Sequence, residues 1–122
     1  MRYDPMVDPD PVAWLGLDEV ERIEVVRRHH KRAGEPAESL RAHAAIHAAV
    51  ETQLAEGRAT TLDALQRLLQ EGLDRHEAIH AIGSLVAGEL YGAVTGKRSE
   101  EGSYDQRVAA LTAASWRASF EE

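Results

Sequence analysis

Every strongly periodic stretch of this chain repeats its apolar residues at the 3.6-residue spacing of a helix, and each runs into a glycine. That pattern predicts an all-α protein and leaves little room for a sheet. The first convincing helix starts with Asp18 as N-cap and runs to about Ala33, where Gly34 and Pro36 stop it, with Val20, Ile23 and Val26 inward. The second runs from Glu38 or Ser39 to Ala55, ended by Gly57, on the stripe Leu40, Ala44, Ile46, Val50 and Leu54. The third begins at Thr60 or Thr61, carries Leu62, Leu65, Leu68 and Leu69, and ends at Gly72. The fourth has Asp74 as N-cap and extends to about Val94, with Ile79, Ile82, Val86 and Leu90 inward. Short connections between them imply antiparallel neighbours in an up-down-up-down bundle.

The remaining segments are subordinate. Residues 1–11, rich in Asp and Pro, read as an extended lead-in, and Val12 to Leu17 as a short apolar piece across the bundle, which begins there and ends near residue 95. Residues 96–103 read as a linker. Residues 104–122 carry a weaker helix with Tyr104, Val108, Leu111 and Trp116, which can dock on the bundle, pair with a second subunit in a homo-oligomer, or stay mobile. A length of 122 residues suits one domain. A hydrophobic share of 43% with aromatics at only 5% means a core of Leu, Ile, Val and Ala, which suits packed helices.

Composition also excludes partners and chemistries. A net charge of −7 argues against a nucleic-acid surface, and the basic group Arg27, Arg28, Lys31 and Arg32 reads as a solvated helix face. The absence of cysteine removes thiolate ligands, so any metal must rest on nitrogen and oxygen. With neither an apolar signal core nor a bilayer-length apolar run, the chain is expected to be cytoplasmic, with no membrane partner.

The chemistry concentrates in the histidines. Two i, i+4 pairs, His43/His47 and His76/His80, each put two imidazoles on one helical face a turn apart, within reach of one ion. At about 100° per residue, His43 and His47 fall inside the second helix's apolar stripe and Glu51 at its edge. His76 and His80 lie at the margin of the fourth helix's stripe. In an up-down-up-down bundle both pairs share one end of the molecule with His30, in the last inward turn of the first helix. His29 is expected to point into solvent, and Tyr91, three turns beyond His80, to serve packing. Imidazoles facing a core carry a desolvation cost unless something satisfies them. The expected ligands are therefore His43, His47, His76 and His80, with His30 and Glu51 as further candidates, and the expected ion is zinc, with iron or another divalent metal as alternatives.

The fourth helix reads His76-Glu77-Ala78-Ile79-His80-Ala81-Ile82-Gly83, which resembles the extended HExxHxxG motif of zincin metallopeptidases. That resemblance implies zinc on His76 and His80 and Glu77 as general base. It stops at Val86, where the extended motif has a third histidine. Glu77 also has an ordinary place, as the capping-box partner of Asp74. Residues 12 to 95, through Leu40-Arg-Ala-His-Ala-Ala-Ile-His47 and Gly72-Leu-Asp-Arg-His-Glu-Ala-Ile-His-Ala-Ile-Gly83, are similar to a group of small bacterial proteins described only as a domain of unknown function. Three functions follow from the residues. In a hydrolase, three or four histidines hold a metal-bound water, Glu77 or Glu51 takes its proton, and a small molecule is the substrate. In a histidine-rich iron or di-iron oxidoreductase, Glu77-x-x-His80 supplies half of a carboxylate bundle site. In a non-catalytic module, the metal is structural, sensed or carried.

Overall fold

The computed structural model describes residues 1–32, 37–97 and 102–119, the side chains of 37–40 excepted. Among the described residues the chain is helical and has no strand. Its elements are α1 (Pro11–Gly16), α2 (Glu19–Arg32), α3 (Ala37–Ala55), α4 (Ala59–Gln70), α5 (Arg75–Thr95), α6 (Tyr104–Ala110) and α7 (Ala113–Ala118). The expected stop at Gly34 and Pro36, the inward Leu40 and part of the 96–103 linker lie outside what is described.

Local chemistry accounts for the boundaries. Asp18 accepts from the Glu21 N–H at 2.8 Å while Glu21 accepts from the Asp18 N–H at 3.2 Å, a reciprocal cap at the start of α2. Gly57 (φ 76°), Gly72 (φ 101°) and Gly96 (φ 73°) take the left-handed conformation where α3, α4 and α5 end.

Helix α3 is central, packing against α1, α2 and α5 and more lightly against α4. It divides the apolar interior in two. On one side Tyr3, Trp14, Val25 and Val26 close on Ala44 and Ala48. On the other, Val50 joins Leu65, Leu68, Ile79, Ile82, Val108 and Leu111. The contact between α3 and α5 is close because residue 83 is glycine: a Cβ there would lie 2.7 Å from Ile46 Cγ2.

Several faces differ from the periodic expectation. Val20 is exposed and Ile23 half-buried, while α2 buries Val25 beside the expected Val26 and His30. In α4, Leu65 and Leu68 are buried as expected and Thr61 and Ala64 complete the face, while Leu62 and Leu69 are exposed. Leu90, Tyr91 and Val94 are exposed, so the second half of α5 leaves the core and Tyr91 does not pack.

Described segments on either side of the long helices also join the core. Trp14 is fully buried, with its indole N–H donating to Thr52 Oγ1 at 3.1 Å, and Arg22 holds the Trp14 and Leu15 carbonyls at 3.1 and 3.0 Å. The C-terminal segment is two short helices, broken at Leu111 and Thr112, where Thr112 caps the second. It docks on α4: Arg67 donates to the Val108 and Leu111 carbonyls at 3.0 and 2.9 Å, and Glu71 accepts the Ala113 N–H at 2.8 Å.

Candidate metal centre

The last turn of α2, the first half of α3 and the first turns of α5 meet at one place, and all six histidines of the chain stand there. Their rings form a continuous group, with centroid separations of 4.3 Å for His30–His43, 4.8 Å for His47–His80, 5.2 Å for His47–His76 and 4.5 Å for His76–His80. His30, His47, His76 and His80 each offer a ring nitrogen, and these four atoms lie within 4.8 Å of one another. A tetrahedral zinc with bonds of about 2.0–2.1 Å sets its nitrogens about 3.4 Å apart. The set is thus gathered to within about 1.4 Å of that spacing.

The placement of individual histidines refines the expectation. His30 belongs to the close set. His43 stands at its edge, with its Nε2 2.8 Å from His80 Nε2, a contact in which one ring donates and the other accepts. His29 is half-buried, with its ring edge-on to Tyr3 at 5.9 Å and to His76 at 6.4 Å; it does not point away into solvent.

Two rings have assignable tautomers. His30 Nδ1 lies 3.0 Å from the Val26 carbonyl, which can only accept, so in the neutral ring Nδ1 carries the proton and Nε2 is the basic nitrogen. His47 Nδ1 lies 3.2 Å from Tyr3 Oη, and the Tyr3 hydroxyl donates to Glu51 Oε2 at 2.5 Å. A phenol has one proton, so His47 must be the donor in its own contact with Tyr3. Its Nε2 is then a lone-pair nitrogen, buried among imidazoles and without a hydrogen-bond partner. Burial first, and then the neighbouring His80, His30, His43 and His76, push the His47 pKa far below the usual histidine value. The ring stays neutral, the state a metal requires.

Behind this relay stands a buried ion pair. Arg75 donates to Glu51 Oε1 and Oε2 at 2.7 and 2.8 Å, to the Pro5 carbonyl at 2.8 Å and to Asp8 at 2.8 Å. Burial by itself would lower the guanidinium pKa, but the Glu51 and Asp8 partners outweigh it and raise it. Burial, followed by the Glu51 charge, raises the Tyr3 phenol well above its usual value, so the hydroxyl keeps its proton.

Both candidate carboxylates are thereby committed elsewhere. Glu51 lies behind His47, with each oxygen facing the guanidinium and one also facing the Tyr3 hydroxyl. Glu77 is exposed and accepts the Asp74 N–H at 3.1 Å while Asp74 caps the Glu77 N–H at 2.8 Å, so the glutamate of the HExxH stretch serves the capping box. The glycine of that stretch, Gly83, serves the approach of α5 to α3.

The residues that periodicity did not single out are Tyr3, Pro5, Asp8 and Arg75. Tyr3 sits in a stretch with no periodicity, and Arg75 reads as an ordinary first-turn residue. A visible signal was composition: an aromatic residue followed by Asp and Pro in so polar a leader. The basic group on α2 includes Arg27 and Arg28, which pair with Glu24 at 2.7 and 3.5 Å on a partly exposed face. None of the described helices is long and apolar enough to cross a membrane. Comparison with protein-family models, with curated proteins and with solved structures finds no match for this chain.

Proposed function

We propose that this protein binds a divalent transition-metal ion, zinc foremost, through His30, His47, His76 and His80, and that the site holds the ion rather than turning over a substrate. The observation that carries the reading is the convergence of four imidazole nitrogens within 4.8 Å, one of them a buried lone-pair nitrogen with no hydrogen-bond partner. An up-down-up-down course of α2, α3, α4 and α5 would bring these helix ends together. Imidazole suits zinc, copper, iron and nickel, and a tetrahedral four-nitrogen shell suits zinc. A closed shell leaves no coordination position for water, which favours a structural, sensing or carrying role.

A hydrolytic second reading rests on the His43–His80 contact. If His80 stays bonded to His43, three imidazoles remain for the ion, with a water in the fourth position whose pKa zinc would bring to about 7. The base would then be His43 and not a glutamate. The carboxylate-bridged iron reading has less support, since Glu77, the carboxylate it relies on, faces the Asp74 N–H in the capping box.

The test is metal analysis of protein purified without a histidine tag, before and after His47→Ala and His80→Ala. About one equivalent of zinc, lost in both variants, is the expected result. Retention of the ion by both variants would overturn the ligand set. Ester, phosphate and amide turnover that zinc removal abolishes would favour the second reading.

A further inference from the structure

We infer that Tyr3 is a positioning residue for the metal centre, fixing the His47 tautomer and thereby tying the N-terminal segment to metal occupancy; this rests on the metal reading above. Three observations carry it. Tyr3 is 2% exposed although it stands third in a polar leader, so its burial needs a reason. Its hydroxyl bridges Glu51 Oε2 and His47 Nδ1. Both Glu51 oxygens accept from the guanidinium, and the phenol donates to Glu51 Oε2 beside it. The direction of every bond from Arg75 to the imidazole is then set: Arg75 donates to Glu51, Tyr3 donates to Glu51, and His47 Nδ1–H donates to Tyr3. His47 is left with its lone pair on Nε2, among the other histidines.

Such an outer partner normally orients a ligating histidine and raises its basicity. Here it comes from a separate piece of chain. Withdrawal of electron density by an ion on Nε2 makes Nδ1–H a stronger donor, so binding tightens the bond to Tyr3. The same segment is held by Arg75 through the Pro5 carbonyl and Asp8. Zinc occupancy therefore stabilises the closed position of residues 1–10, and opening of that segment weakens the site.

The test uses the full chain. Nitrogen-15 NMR of the metal-free wild type should show His47 with its proton on Nδ1. A titration with zinc should slow amide exchange across residues 2–8. Tyr3→Phe keeps the ring and removes the bridge: it should lower zinc affinity about ten- to a hundredfold, alter the visible spectrum of the cobalt-substituted protein, and abolish the zinc-dependent protection. Wild-type zinc affinity and an unchanged cobalt spectrum in Tyr3→Phe would overturn the inference. So would a His47 protonated on Nε2 in the metal-free wild type, a result that does not require the variant to fold. Wild-type protein that takes up no zinc would instead overturn the metal reading, and the tautomer measurement then judges Tyr3 by itself.

Discussion

Replacing Arg75 with Met should be the most destabilising surface-distant charge change in this chain. The side chain is 7% exposed and donates four hydrogen bonds, two of them to a carboxylate that is itself 1% exposed. Without it, Glu51 keeps only the Tyr3 hydroxyl as a donor, and the Pro5 carbonyl loses its partner. Breaking a buried pair from one side costs about 3–5 kcal/mol, a large share of the roughly 5–15 kcal/mol that holds a domain folded. The pair as a whole is worth much less, because both groups were desolvated to make it. Arg75→Met combined with Glu51→Leu should therefore recover most of the loss. Asp8→Asn is the internal comparison: that carboxylate is 81% exposed, and its bond to the same arginine should contribute less than about 1 kcal/mol. Urea unfolding of the metal-free protein at neutral pH measures all three. A loss below about 1 kcal/mol for Arg75→Met, far under the cost of a broken buried pair, would refute the reasoning. So would a double variant no more stable than Arg75→Met alone.

Gly83→Ala should destabilise by up to about 2 kcal/mol, the overpacking against Ile46 exceeding the gain in helix propensity; thermal unfolding and a zinc titration check it, and zinc binding should weaken as α5 and α3 part. Metal-free protein should lose stability as pH falls below about 6.5, because the unfolded chain then binds a proton that buried His47 refuses; the loss is about 1.4 kcal/mol per pH unit for this one group. Stability above that pH should be flat with respect to His47, and His47→Gln should make the acid slope shallower by one proton in urea midpoints at pH 7 and 5.5. Arg67→Met should cost about 1–3 kcal/mol by stranding the Val108 and Leu111 carbonyls, with faster amide exchange across residues 104–118 as the readout.

Much of the helical frame is legible in the chain because capping is local: Asp18, Asp74 and the glycines at 57, 72 and 96 act through residues three or four positions away. The histidine pairs are legible for the same reason, since i, i+4 spacing fixes a shared face before any packing is known. Their convergence with His30 depends on how α2, α3 and α5 pack, and the sequence supports it only through the expected bundle. Tyr3 reaches His47 and Glu51 across 44 and 48 residues, and Asp8 reaches Arg75 across 67, so no local rule relates them. Glu77 carries two local readings, and the capping place is the one its hydrogen bonds occupy. Its motif suggests a base, yet the N-cap three residues earlier has the shorter reach and takes the carboxylate. Gly83 likewise matches a catalytic motif while answering a packing need.

In the proposed site four imidazoles from three helices share one ion. A crystal of untagged, zinc-loaded protein, with an anomalous difference map collected at the zinc edge, tests it most directly. One strong peak is expected, with ring nitrogens of His30, His47, His76 and His80 at about 2.0–2.1 Å. A peak held by carboxylates elsewhere, or His47 and His76 facing separate environments with no shared density, would contradict it.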